Sequence, residues 1–230
     1  LIRIPVADFT TVLQSSSSPA QKATAVAAMA VVEHDPFFQV AGAGLRRIGD
    51  RYAIMFGQGF NGDYAPFSGS ADQHYTEAVR VFRLRPGGRG SFAKGELRTA
   101  EADQPFHRRD GVVVDTVDPR TGLPRLAAFG GVFPPGKLDG YLNPVYLDER
   151  NGQLITKTDR SVKQLFNQYQ CPTIAIWNPT ESSIYHTFYG GISRYWYHQT
   201  SAQAQVYEEV TANGRNDGLP FVSDITTLIT

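Results

Sequence analysis

The sequence predicts an all-β protein, and three observations support that fold class. The 230 residues include 22 glycines and 14 prolines, so the chain is rich in turns. Charged residues make up only 19%, while 14 phenylalanines, 11 tyrosines and 2 tryptophans supply the aromatic side chains that strands favour. The third observation is a hairpin pattern that recurs three times along the chain.

Each repeat begins with two apolar segments that are separated by a turn. The repeats lie at 45–60, 111–133 and 173–192, and in each the second segment ends in an aromatic residue followed by a glycine pair or Gly-Gln-Gly. This arrangement predicts a β-hairpin, and its recurrence predicts a repeat architecture. We expect positive φ and close backbone packing at six glycines: Gly57, Gly59, Gly130, Gly131, Gly190 and Gly191. The three repeats are aligned on Gly57, Gly130 and Gly190.

A further strand closes each repeat. Alternating apolar residues predict strands within 77–84, 142–148 and 221–229. Polar segments at 61–74 and 193–218 separate the hairpin from this strand in the first and third repeats.

Other elements are predicted before the first repeat. Residues 1–12 are expected to form the last strand of a preceding repeat, in which 1–6 pairs with something outside the segment or with 225–229. Residues 15–22 are predicted to be a flexible Ser-rich loop. The Ala-rich stretch 21–32 predicts a short helix, with a strand at 26–33 as the alternative.

Composition excludes several classes of protein. The 22 basic and 22 acidic residues give a formal net charge of zero, which argues against a dedicated nucleic-acid binder. The single cysteine, Cys171, excludes an intrachain disulfide and a cysteine-cluster zinc site. The longest nearly apolar run, 23–32, is about half of what a membrane-spanning helix needs. Because the chain starts at Leu1 without a signal-like segment, we expect a processed product or a piece of a longer chain.

The glycine-pair strands resemble blades of kelch-type β-propellers. Residues 129–132 (Phe-Gly-Gly-Val) and 189–192 (Tyr-Gly-Gly-Ile) are similar to the kelch glycine pair, whereas 56–59 (Phe-Gly-Gln-Gly) departs from it. The basic stretch 107–110 also resembles the start of a kelch first strand. The chain is most similar to uncharacterised kelch-like proteins exported from bacteria, over residues 36–230. The resemblance implies a propeller fold and a periplasmic, cell-surface or secreted location.

Three blades do not close a ring, because propellers have roughly four to eight. The resemblance therefore implies that residues 1–230 form one partial propeller. Missing blades of the same protein, or a protein partner, would complete the ring. An open β-sandwich is the alternative architecture.

The candidate binding site is the aromatic group Tyr195, Trp196 and Tyr197, with Tyr185 and Tyr189 earlier in the same repeat. Aromatic side chains stack on sugars and on proteins, but packing between blades would use the same residues. On a strand, Tyr195 and Tyr197 share one face and Trp196 lies on the other.

No motif predicts catalysis or a resident metal. The five histidines, at 34, 74, 107, 186 and 198, lack metal-ligand spacing. The copper site of some kelch-fold oxidases would require Tyr169, Cys171 and His186 here, but an isolated cysteine is more often a buried, inert thiol. A structural calcium is an alternative at four turn carboxylates that lack the calcium-loop spacing: Asp115, Asp118, Asp139 and Asp148.

These patterns predict a non-catalytic binding or assembly module in an exported or surface complex. Loops and aromatic side chains on a rigid scaffold would recognise the partner. The expected partner is another protein or the missing blades of the same protein, and carbohydrate is a further ligand class. We expect no nucleic-acid partner and no membrane span. A carbohydrate-active or metal-dependent enzyme on the same scaffold is the alternative, which converging His, Asp and Glu side chains would favour.

Overall fold

The fold is mostly β, as the sequence predicts. The computed structural model describes residues 2–32, 34–62, 72–84, 93–137, 139–193, 195–199, 204–208, 219 and 221–230. Contacts divide the chain into two compact units. Leu1–Gln39 belongs to the first, while Val40–Leu84 and Ala93–Thr230 form the second.

The first unit is helical where a strand was predicted. Helix α1, Val6–Gln14, occupies most of the segment 1–12. Strand β1, Ile2–Arg3, precedes the helix and pairs with β2, Val31–Val32, so the predicted pairing with 225–229 is wrong.

A second helix confirms the prediction for the Ala-rich stretch. Helix α2, Pro19–Met29, starts inside the predicted loop 15–22 and shortens that loop. The Ser18 hydroxyl accepts a hydrogen bond from the Gln21 backbone, and the Gln21 side chain accepts one from the Ser18 backbone. This capping box and the proline at the first helical position explain why the helix starts there. A 3₁₀ turn, Pro36–Phe38, follows β2.

The first repeat forms a four-stranded antiparallel sheet and a two-stranded extension. Its strands are β3 Gly44–Ile48, β4 Arg51–Met55, β5 Gln58–Asn61, β6 Asp72–Tyr75, β7 Val79–Arg83 and β8 Ala93–Leu97. The sheet has the spatial order β3-β4-β7-β8, and β5 pairs with β6 in the connection between β4 and β7. The predicted hairpin is confirmed: Ile48 pairs with Arg51 across a turn in which Gly49 has φ +56°.

The second repeat is a four-stranded meander. Its strands, in both chain and spatial order, are β9 Val112–Val117, β10 Pro124–Phe129, β11 Val145–Arg150 and β12 Gln153–Thr158. The fourth strand was not predicted. It follows a two-residue turn in which Asn151 and Gly152 have φ of +51° and +75°, which is the hairpin turn that Asn-Gly favours.

The third repeat contains five strands. They are β13 Thr173–Asn178, β14 Ser183–Ile192, β15 Tyr195–Gln199, β16 Ala204–Glu208 and β17 Phe221–Ile229. The sheet has the order β13-β14-β17, and β15 pairs with β16 in the connection between β14 and β17. No fourth strand pairs with β17 among the described residues.

Strands β9, β10 and β11 of the second sheet carry buried residues on both faces, whereas β12 is partly exposed. One core cluster joins this sheet to the first sheet, and its members include Ala53, Met55 and Val81 on one side and Val113, Leu126 and Leu147 on the other. A second cluster places Val112, Ala127, Phe129 and Tyr146 against Phe188 of the third sheet. The first strand of each sheet is adjacent to that of the next, since β9 contacts both β3 and β13.

Candidate functional site

The glycine positions show how the three sheets correspond. Gly57, Gly131 and Gly191 have φ of +88°, +85° and +96°. The preceding residues, Phe56, Gly130 and Gly190, have φ of +64°, +57° and +72°. The alignment on Gly57, Gly130 and Gly190 is therefore wrong by one residue in the first repeat, where Phe56 adopts a backbone conformation that usually requires glycine.

Two of these glycines bind the segment that leads into the next sheet. The Gly57 amide donates to the Arg108 carbonyl at 2.9 Å, and the Gly131 amide donates to the Gln168 carbonyl at 2.6 Å. A Cβ on Gly130 would lie 2.4 Å from the Gln168 carbonyl oxygen. Gly59 differs from the others, because its φ is not positive and a Cβ there would meet only His74 O at 3.8 Å. Neither backbone conformation nor packing requires glycine at position 59.

Arg108 is a buried cation held by backbone carbonyls. Its Nε donates to Pro105 O at 2.6 Å and its Nη1 donates to Gly130 O at 2.8 Å. The guanidinium also lies 4.1 Å from the centre of the Tyr141 ring. Burial lowers the pKa of Arg108 to about 10, so the side chain stays charged at neutral pH. We assign it a structural role between the first and second sheets.

A polar cluster lies beside Arg108. The Tyr75 and His107 rings stack at 3.8 Å, and His107 Nδ1 is 2.6 Å from Glu77 Oε1. Arg109 Nε is 3.3 Å from Asp110 Oδ2. Burial raises the pKa of Asp110 and of Tyr75. Glu77 contacts His107 and Asp110 contacts Arg109. The Glu77–His107 contact joins the segment between β6 and β7 to the segment that leads into β9, so we assign the cluster a structural role.

The aligned positions show that the sheets present equivalent faces. Met55, Phe129 and Tyr189 each lie two residues before the second glycine position, and we call the face that carries them the forward face. The same face carries Ala53, Ala127 and Thr187, two residues earlier. Their partners on the closing strands are also equivalent: Val81, Tyr146 and Thr227.

The forward faces differ in what covers them. The second sheet packs on the centre of the first forward face and the third sheet on the centre of the second, while the fourth strands, β8 and β12, stay partly exposed. The forward face of the third sheet is exposed: Ile174, Ile176, Ile225 and Ile229 are 51%, 61%, 64% and 57% accessible. We call this surface the open face. It consists of Ile174, Ile176, Tyr185, Thr187, Tyr189, Ile225, Thr227 and Ile229.

The open face carries no charged side chain, because its members are isoleucine, tyrosine and threonine alone. Tyr185 Oη hydrogen-bonds Glu181 Oε2 at the margin, and the Thr187 and Thr227 hydroxyls are 2.9 Å apart across the strands. An exposed apolar surface of this kind is typical of an interface. It is the candidate functional site.

The predicted aromatic site is related to this surface only in part. Tyr185 and Tyr189 lie on the open face. Tyr195, Trp196 and Tyr197 lie on β15, where Tyr195 pairs with Glu208 and is half-buried. The side chains of Trp196 and Tyr197 lie outside the described residues, so their role stays a prediction. Sequence reasoning missed the isoleucines, although their alternation in β13 and β17 was the available signal.

The metal candidates occupy other environments. Among the described residues, no group of three or more His, Cys, Asp or Glu side chains is arranged to hold a metal. His186 is fully buried against the Phe129 ring at 4.6 Å, and Cys171 packs at the margin of the second core cluster. Asp118 and Asp148, proposed as calcium ligands, both pair with Arg125, at 2.9 and 2.8 Å.

Comparison with known proteins leaves this surface unassigned. No protein family matches the sequence, and no curated protein is significantly similar to it. Neither of the described helices combines the length and apolar character needed to cross a membrane.

Proposed function

We propose that the chain is a section of a kelch-like β-propeller and acts as a non-catalytic binding or assembly module in an exported or surface complex. One observation carries the proposal: the centre of the open face is exposed, although the centres of the equivalent faces of the first two sheets are buried. A further sheet, from missing blades of the same protein or from a protein partner, covers it in the assembled state.

Three features support the propeller reading. Each sheet is antiparallel, and the closing strand pairs with the second strand of the hairpin. The first strands are neighbours, as inner strands are around a propeller axis. The glycine amide of one sheet binds the lead-in segment of the next at two successive junctions. In a repeat array each sheet packs on the next, so the apolar face of the last sheet needs a further element to cover it.

The chemistry of the open face favours a protein partner. Without charged side chains it offers little to nucleic acid or to phosphate-rich surfaces. Flat, uncharged aliphatic surfaces instead suit the face of another β-sheet, as at the two junctions already formed.

The experiment places a charge on the open face. We expect the chain of residues 1–230 to associate with itself in a concentration-dependent way, because this face is exposed. Ile174→Glu and Ile225→Glu should each shift the protein toward monomer in sedimentation velocity. Ile155→Glu is the matched control, since Ile155 is an exposed strand isoleucine of the second sheet at 45% accessibility.

Two results would reject the proposal. One is a soluble wild-type chain that stays monomeric at high concentration and unfolds cooperatively, which would favour the sandwich alternative. The other is equal loss of association with Ile155→Glu and with Ile174→Glu, which would show that any added charge suffices.

A further inference from the structure

A cleft of about 370 Å³ opens between the first and second sheets, away from the open face. Its wall in the first sheet is formed by β7 and β8, and Leu154 of β12 lies opposite. The apolar side chains in its lining are Val81, Phe82, Ala93, Leu97 and Leu154, and the charged ones are Arg51, Arg83, Lys94 and Glu96. Its volume lies within the range of small-molecule sites.

Gly95 makes room in this cleft. It occupies the middle of β8 opposite Val81, where a glycine weakens a strand. Its φ is not positive, and a Cβ at this position would meet no atom within 4 Å. Gly44 on β3 shows the contrast, because a Cβ there would lie 2.2 Å from Val113 Cγ2. Packing explains Gly44, whereas Gly95 leaves space that no described side chain fills.

Two arginines supply donors to the cleft. Arg51 Nε is buried and makes no hydrogen bond among the described residues, although it lies 3.6 Å from Asp50 Oδ1. The other end of its guanidinium is engaged, since Nη2 donates to Gly152 O and lies 3.5 Å from Glu149 Oε1. Arg83 uses its Nε for Asp50 Oδ2 at 2.8 Å and remains about half exposed. An unpaired buried N–H is costly unless a ligand or water accepts from it.

We propose that this cleft binds a small amphipathic carboxylate. The aliphatic body of the ligand packs against Val81, Leu97 and Leu154 above Gly95. Its carboxylate accepts hydrogen bonds from Arg51 and Arg83. The lining itself carries three cations and one carboxylate, which favours an anionic ligand over a cationic one. Asp50 and Glu149, outside the lining, already pair with the two arginines, so the ligand competes with them for the arginine N–H groups.

Octanoate is the probe, and isothermal titration calorimetry measures its binding to the chain. Octan-1-ol and octylamine test the head group, since they share the aliphatic body. We expect octanoate to bind about tenfold or more tightly than either. Equal affinity for octan-1-ol would overturn the role of the arginines, and absence of octanoate binding would overturn the proposal.

Gly95→Leu is the decisive variant. The space above Gly95 and its ordinary φ allow the substitution without strain, so the denaturation midpoint should not fall while octanoate binding drops about tenfold or more. Arg83→Gln should weaken octanoate but not octan-1-ol, and Arg120→Gln, on the exposed turn between β9 and β10, is its control. Unchanged octanoate binding by folded Gly95→Leu would show that the ligand does not occupy this cleft.

Discussion

The second and third sheets share one design and differ in their surroundings. Both have a hairpin, a glycine pair and a closing strand, and their positions correspond residue by residue. Yet Phe129 is 0% accessible on the forward face of the second sheet, whereas Tyr189 is 37% accessible at the same position of the third. The strand pattern therefore defines a face that can be buried, and the presence of a neighbouring sheet decides whether it is.

Truncating the aromatic side chain at this position should separate the two sheets most clearly. Phe129→Ala should lower the free energy of unfolding by about 3–5 kcal/mol, because it removes a buried ring that contacts Phe188 and His186. Tyr189→Ala should cost less than about 1 kcal/mol in the same chain. Urea unfolding measures both, and equal losses would contradict the assignment of covered and open faces.

The first glycine of each pair, Gly130 in the second sheet and Gly190 in the third, should differ in how much an added methyl group destabilises the protein. Gly130→Ala should destabilise by about 3 kcal/mol, since positive φ strain adds to overlap with the Gln168 backbone. Gly190→Ala should cost only about 1–2 kcal/mol, because its Cβ would approach just Val222 O at 3.2 Å. Gly59→Ala is the control and should be nearly neutral. A Gly130→Ala variant as stable as Gly190→Ala would refute the tight junction between the second and third sheets.

His186 makes the covered interface sensitive to acid. Burial lowers the pKa of His186 to about 4, against about 6.5 in the unfolded chain. Between these values the unfolded chain binds more protons, so stability falls as the pH drops from 6.5 toward 4. The loss should be about 2–3 kcal/mol. His186→Leu should remove this part of the pH dependence in denaturation curves taken at several pH values, and an unaltered slope would exclude His186 as its source.

The smallest effect is kinetic and concerns Cys171. Burial raises the pKa of this thiol, which lies at the margin of the covered interface. Native protein should therefore react slowly with a thiol reagent at pH 8. Phe129→Ala should accelerate the reaction by loosening that interface, whereas Tyr189→Ala should change it less. Rapid labelling of the wild type would show that Cys171 is not protected.

Local patterns predicted the hairpins and closing strands because each depends on residues near in sequence. Alternation and turn residues specified the pairing of β3 with β4, β9 with β10 and β13 with β14. The Asn151-Gly152 turn would have predicted β12 by the same reasoning. In contrast β8, with the sequence Ala-Lys-Gly-Glu-Leu, alternates non-polar with charged residues but is short and has a glycine at its centre, so its strand signal is weak and β7 provides the partner that forms it.

Other features differ from the prediction or depend on more than local pattern. The spacing of Val6, Phe9 and Leu13 is helical, and this local pattern outweighs the expectation that a strand of a preceding repeat occupies the segment. The correct alignment places Phe56 at the position of Gly130 and Gly190. The sequence does not indicate this, because Phe56 adopts a positive φ that is expected of glycine. The open face could not be predicted from β13 and β17 alone, since an alternating strand looks the same whether or not another sheet packs on it.

The hydrogen bonds from Gly57 and Gly131 also impose an order on the nascent chain. Both amides bind carbonyls that the ribosome adds later, at Arg108 and Gln168. Each sheet can pair its own strands as it emerges, but its glycine loop is secured only when the start of the following repeat has been made. During synthesis, which runs from the amino end, each of these two glycine loops is therefore completed by the repeat that follows it.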